Sequence, residues 1–285
     1  MDFGAAARTH GPRDPATRCS PGLPTLCRVS ETWGEELVRL ASADNFRDVA
    51  GPDSAYVAAD GTPLRRGVAY RSNELQLTET DAATIAGLGV TAIYDLRTAH
   101  EVEAHPDAEV AGATWHHLEV GGIPMVQLED LTSREAAGEV MRSVYRSFVE
   151  APEARAAFGE LLRHIADTED GATLFHCAAG KDRTGWVAAL LLHVAGVDDE
   201  TILEDYLLTN TFSSATRDKY LGLVREHLGE DKVDVYEVAM VVTDDFLQEG
   251  YHAISAAYGD RAGYLSIGLG LDDETLARLR ARLRA

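Results

Sequence analysis

The chain has 285 residues, 45% of them hydrophobic, with 47 acidic against 26 basic side chains and a net charge of −21; it can bury a core without a disulfide framework or a structural metal. So acidic a surface repels nucleic acid and anionic membranes, and no apolar run approaches the ~20 residues of a membrane span. Three cysteines, Cys19, Cys27 and Cys177, suit a reducing compartment better than a disulfide scaffold, and the N-terminus lacks an apolar leader, so the expected location is cytoplasmic, with secretion that uses no signal peptide as the alternative.

Residues 1–29, with Pro12, Pro15, Pro21 and Pro24, read as a flexible tail, and residues 30–285 as one domain. Residues 31–40 form a short helix or turn. A mixed stretch from Asn45 ends at the Gly51-Pro52 turn, and 68–71 is a short strand. Residues 78–88 read as a helix with Thr78 as N-cap and Gly89 as its stop. A strand rich in Val, Ile and Tyr covers 90–96, and another covers 114–120. Helices follow over 133–149 and 154–165, then a short buried strand over 173–176. Residues 183–195 are apolar almost all round, which makes that helix central. Further helices cover 199–209, 214–228, 236–258 with a break near Gly250, and 272–283. Strands alternating with helices predict an α/β fold of three layers, α/β/α, around a mostly parallel sheet, where ligands bind at the carboxyl ends of strands.

At one such end, between strand 173–176 and helix 183–195, stands the string His176-Cys177-Ala178-Ala179-Gly180-Lys181-Asp182-Arg183-Thr184-Gly185. Hydrolysis of a phosphate monoester needs a nucleophile that is already an anion. A thiol at a helix N-terminus is driven toward thiolate by the helix dipole. The unpaired N–H groups of the loop Ala178–Arg183 can surround one phosphoryl group. Gly180 lets those groups turn inward. Arg183 offers a rigid fork for two phosphate oxygens, and Thr184 can donate to the sulfur. Lys181 adds a second positive charge, one of only three lysines in the chain. Neither Cys19 nor Cys27 has an arginine six positions on; Thr25 and Trp33 stand there.

The full string resembles the phosphate loop of the protein tyrosine phosphatases, in the variant carried by a bacterial branch of that family. Asn45-Phe46-Arg47-Asp48-Val49-Ala50-Gly51 is similar to the branch's N-terminal signature, with Ala50 where glycine is usual. Tyr70-Arg71-Ser72, Leu88-Gly89-Val90 with Tyr94-Asp95-Leu96-Arg97, and Gly263-Tyr264-Leu265 with Gly268-Leu269-Gly270-Leu271 match further blocks. The resemblance runs from about Asn45 to Leu283. It implies a tyrosine-phosphatase-like fold with helical lid insertions from 133–149 and 214–258. It also implies a phosphocysteine intermediate on Cys177, and no metal or other cofactor. Asp182 and Asp95 match the family's acidic positions as general acids; Asp130 is a third candidate by analogy with a mobile acid loop. Lys181 resembles lysines that accompany phosphoinositide substrates in the wider superfamily.

Blander readings stand beside these. Asp182 can brace the loop through Arg47 or another arginine, Asp95 can pair with Arg97 or Arg71, and Lys181 can be solvated. His176 reads as a brace under the loop, and His116 and His117 as one core-edge and one exposed residue. Trp186 reads as core, and the arginines at 278, 280, 282 and 284 as a solvated helix end. The substrate expected is a phosphotyrosyl protein, with a small molecule (phosphoinositide, nucleotide or metabolite) as the alternative. A non-catalytic phosphate binder would need a damaged loop, and every chemical group of this loop is present.

Overall fold

A computed structural model describes residues 38–123 and 131–285 of the chain. The tail expected over 1–29 and the candidate Asp130 lie outside the described residues. Of the helix or turn expected over 31–40, only 38–40 are described, and they are not helical.

Five strands form one sheet in the order β1-β2-β5-β3-β4. They are β1 (Arg47–Asp48), β2 (Ala69–Ser72), β3 (Val90–Asp95), β4 (Thr114–His117) and β5 (Ala172–His176). Only β1 runs antiparallel; the β2–β5, β5–β3 and β3–β4 pairs are parallel. β5 is buried at every position and takes the centre, as an apolar strand covered on both faces must. Side chains alternate between two cores. Tyr70, Ile93 and Leu174 meet Ile85 of α1 (Glu79–Gly87) on one face. Ala69, Tyr94 and Phe175 join the larger helical layer on the other. The three-layer mostly parallel α/β/α arrangement is therefore present, with one layer much thicker.

That thick layer is built around α5 (Asp182–Ala195), in which only Asp182 and His193 are not buried. Trp186 on α5 is fully buried, as expected. α5 stops at Gly196, which adopts φ 88°, a left-handed C-cap that glycine reaches without penalty. Around it stand α3 (Arg134–Glu150), α4 (Pro152–Asp167), α6 (Asp199–Phe212), α7 (Ser214–Leu228), α8 (Glu230–Met240), α9 (Asp244–Tyr258) and α11 (Asp273–Leu283). A single turn, α10 (Arg261–Gly263), leads into a π-helical turn over Tyr264–Gly268.

Three expectations need correction. The helix anticipated over 236–258 is two helices, and the break falls at 241–243 rather than at Gly250. Val241-Val242-Thr243 is a β-branched run; Val241 and Thr243 are extended, and Asn210 brackets Val242 with two hydrogen bonds of 2.8 Å. Gly250 sits inside α9 because its missing Cβ makes room for Trp186. The strand expected over 114–120 ends at His117. A short helix not anticipated at all, α2 (Ala99–Ala104), follows β3 and is started by a capping box of Thr98 and Glu101. Of the C-terminal arginines, Arg278 and Arg280 are exposed as expected, while Arg282 and Arg284 are half-buried. Arg278 pairs with Asp167 and Arg284 with Asp60, while Arg280 and Arg282 donate to backbone carbonyls of Val194, Glu169 and Gly171.

Candidate active site

The parallel registers bring Ser72, His176 and Asp95 level at the carboxyl edge of the sheet. Cys177 follows β5 directly, buried at 2% exposure, and α5 begins five residues later. The cysteine and the helix N-terminus are therefore brought together by the topology itself.

The loop between them is held from outside. Gly180 adopts φ 65°, and a Cβ there would lie 2.5 Å from the Ser72 carbonyl oxygen, so only glycine fits. The Gly180 carbonyl accepts from Asn45 Nδ2 (2.6 Å) and Arg71 Nη2 (3.0 Å). The Ala178 carbonyl accepts from the Glu74 amide at 3.0 Å. In a trans peptide the N–H points opposite the C=O. Anchoring these two carbonyls outward therefore turns the amides of Ala179 and Lys181 away from the scaffold.

Arg183 is 6% exposed. Its Nη1 and Nη2 each donate to one Glu101 carboxylate oxygen at 2.7 Å, and Nη1 also reaches the carbonyls of Leu96 (3.3 Å) and Val120 (3.2 Å). A Cβ on Gly122 would come within 3.2 Å of the guanidinium, so that glycine leaves it room. Burial would raise the Glu101 carboxyl, but the hydrogen bonds and charge of Arg183 outweigh it and hold the group at about 2. Glu101 was not foreseen as a site residue. Its one sequence signal, Thr98-x-x-Glu101, reads as a helix cap, which it also is.

The two acid candidates separate. Asp95 is fully buried, and Arg97 takes both its oxygens at 2.6–3.0 Å. It is thus the partner of Arg97, not of Arg71, and has no oxygen facing an open site. Asp182 sits at the first position of α5 with its carboxylate 2.7 Å from the Lys181 ammonium, and it accepts from the Tyr145 hydroxyl at 3.0 Å. Lys181 is 3% exposed and so is not a solvated charge. Among the described residues Asp182 braces no arginine, and Arg47 is engaged with Asp205.

Beneath the loop lie two buried ionic groups. In one, Asp205 takes Arg47 at 3.2 Å and Arg71 at 3.1 Å. Burial raises the Asp205 carboxyl, but the two guanidiniums overcome it and leave the group depressed. In the other, Arg97 binds Asp95, Glu74 and Asp107, and His176 Nε2 lies 2.8 Å from Asp107. His176 Nδ1 stands 3.4 Å from the Cys177 carbonyl, the bracing position expected of it. Asp95, Asp107 and His176 bring ligand-type atoms within 4.8 Å of one another. The Arg97 guanidinium already supplies the positive charge there, so the triad does not fit a metal. Thr184 is buried, but its hydroxyl makes no hydrogen bond among the described residues; the expected bond to the sulfur is not formed. His116 and His117 are both half-buried. The first stacks on Tyr94 and the second lies 2.7 Å from the Arg97 carbonyl.

Of the segments expected as a lid, 133–149 reaches the end of the loop. Tyr145 of α3 touches Asp182. In the other, burial and then the charges of Glu74 and Glu101 push the Tyr220 phenol on α7 up.

Residues 38–285 match the tyrosine phosphatase family. The chain is 29% identical to the triple specificity protein phosphatase PtpB of Mycobacterium tuberculosis, over 86% of this chain and 98% of that one. It is 27% identical to a tyrosine-protein phosphatase of Nostoc commune, over 85% and 87%. The crystal structure of P. aeruginosa TpbA aligns with 77% of this chain and 98% of its own at 16% identity, with a TM-score of 0.32.

Proposed function

The chain belongs to the tyrosine phosphatase family, hydrolases of phosphate monoesters, and we propose that it works through Cys177 as nucleophile, Arg183 as phosphate fork and Asp182 as general acid. The observation that carries this is the anchored loop: Cys177 and the α5 N-terminus joined by a glycine whose carbonyl is tied back by Asn45 and Arg71.

In the first step the thiolate attacks phosphorus. The P–O bond to the leaving group breaks, and Asp182 delivers its proton to the departing oxygen. The charge on the equatorial oxygens meets the loop amides, of which Ala179 and Lys181 are turned outward from the scaffold, and Arg183. Glu101 occupies the Nη1–Nη2 end of the fork. The Nε–Nη2 edge remains to face two phosphate oxygens. In the second step water attacks the phosphocysteine, Asp182 takes its proton, and inorganic phosphate leaves.

The substrate that this reading favours is a phosphotyrosyl protein. A small, multiply phosphorylated molecule is the second reading. Lys181 supports it, because release from Asp182 would give the site a further cation, and a relative carries the name triple specificity phosphatase. Among the described residues no helix is long and apolar enough to cross a membrane. A hydrolysis panel of phosphotyrosine peptide, phosphoserine peptide, phosphoinositide and nucleotide monophosphate decides between them, with Cys177→Ser as control. Loss of all turnover in Cys177→Ser and inhibition by vanadate are expected. Turnover that survives in Cys177→Ser overturns the mechanism.

A further inference from the structure

Behind Asp182 stand two tyrosines that no step above uses. Tyr145 and Tyr206 are 0% and 1% exposed, and their hydroxyl oxygens are 2.6 Å apart. Tyr145 donates to Asp182 Oδ1 at 3.0 Å. A phenol has one hydrogen. With that of Tyr145 given to Asp182, the hydrogen between the tyrosines comes from Tyr206. The chain therefore has a direction: Tyr206 donates to Tyr145, and Tyr145 donates to Asp182.

We propose that Tyr145 and Tyr206 are positioning residues that hold Asp182 by Oδ1 and leave Oδ2 as the oxygen that carries the catalytic proton. The inference rests on the assignment of Asp182 as general acid. A carboxyl at a helix N-terminus on a short side chain can rotate about χ2, which presents either oxygen to the substrate. Only one orientation puts the proton toward the leaving group. The Oδ1 lone pair accepts from Tyr145 whether or not Oδ2 is protonated, so the same bond serves both halves of the cycle. Burial pushes both phenols well above their ordinary value, so they remain donors at any working pH. The rings are themselves fixed. Tyr145 packs on Phe148, Trp186 and Phe246, and Tyr206 lies against Gly185, whose Cβ would meet its ring at 3.2 Å. Lys181 donates to Oδ1 at 2.7 Å and also lies 2.7 Å from Oδ2; its flexible stem lets it move to a bound phosphate, which frees Oδ2, while the tyrosines stay on Oδ1.

The test is the leaving-group dependence of kcat/KM on aryl phosphates for wild type, Asp182→Asn, Tyr145→Phe and Tyr206→Phe. Vanadate inhibition serves as the check that the loop is intact. Asp182→Asn should lower turnover of phenyl phosphate about 10²-fold or more relative to p-nitrophenyl phosphate. Tyr145→Phe should lower the same ratio about tenfold, the loss of one hydrogen bond to a charged group. Tyr206→Phe, which touches no part of Asp182, should lower it by a smaller factor in the same direction. A simple structural role predicts parallel losses on both substrates, and that result overturns the proposal. A Tyr206→Phe ratio equal to wild type overturns the directional chain. If Asp182→Asn itself leaves the ratio unmoved, the general acid is elsewhere and the positioning role falls with it. If Asp182→Asn moves the ratio and neither tyrosine variant does, only the positioning role falls. Tyr206→Phe keeps the question open to measurement should Tyr145→Phe fail to fold.

Discussion

Arg183 has five N–H donors, and the way they are divided bears on the phosphate-fork role proposed for it. One from each terminal nitrogen goes to Glu101, and Nη1 also reaches two backbone carbonyls. The Glu101→Gln variant keeps the shape and one acceptor but loses the charge. It should lower kcat/KM on aryl phosphates about tenfold, the cost of weakening one charge-assisted bond. A wild-type value in steady-state kinetics would show that Arg183 is oriented without it. The Glu101 carboxyl is depressed to about 2. Its contribution is thus present above the ordinary carboxylate range and is lost only as pH falls toward 2. An acid limb of the activity profile between pH 4 and 7 therefore belongs to another group, and it should keep its position in Glu101→Gln. Cys177 and Arg183 are legible in the sequence because they lie six residues apart in one string. Glu101 is not, because it meets Arg183 from a helix 82 positions upstream and its local pattern is fully explained as a cap. Asp95 and Asp182 look alike as sequence, and only the place of Arg97 tells them apart.

At the scale of elements, most helices follow from apolar spacing and caps. Thr78 caps α1 as the sequence suggests, and Asp272, expected as the first helical residue, caps α11 instead. The error at Gly250 is instructive because glycine has two meanings in a helical pattern: a stop, or a close approach. A Cβ at Gly250 would lie 2.5 Å from Trp186, which is fully buried and ringed by Tyr145, Phe148, Tyr251 and Tyr264. Gly222 on α7 has open space around it. The two make a matched pair. Gly222→Ala should stabilise by roughly 0.5–1 kcal/mol, the helix preference of alanine over glycine. Gly250→Ala gains the same preference but must overpack a rigid aromatic cluster at a cost of about 1–3 kcal/mol, so the net change should be destabilising. Thermal melts of both variants decide it. A rise in Tm for Gly250→Ala would mean that Trp186 can give way.

On the scale of the molecule, an acidic chain of net charge −21 has drawn its cations inward. Arg47, Arg71, Arg97, Lys181 and Arg183 are all nearly or fully buried, and they lie in the loop or beneath it. Each faces a carboxylate that comes from elsewhere in the chain or, for Lys181 and Arg97, from close by. The layered α/β plan was readable from alternating periods, since each strand and helix announces itself locally. These ion pairs were not, because Asp205 on α6 reads as one more acidic residue on a helix until β1 and β2 deliver Arg47 and Arg71 to it. Asp205 ties the N-terminal strand, the second strand and α6 to the Gly180 carbonyl through Arg71. Removing its charge leaves two guanidiniums facing each other in the core, where burial and Arg47 already pull Arg71 down to about 10. The Asp205→Asn variant should therefore lose about 3–5 kcal/mol, the cost of breaking a buried pair from one side. The Asp205 carboxyl is depressed in the fold, so its stabilisation is present above the ordinary carboxylate value and is lost as pH falls below it. Urea midpoints of wild type should hold between pH 5 and 8 and fall below about pH 4. In Asp205→Asn the midpoint should be low at neutral pH, and the gap to wild type should narrow as acid protonates Asp205. A gap that stays constant down to pH 3 would show that the network is held by its hydrogen bonds and not by the charge.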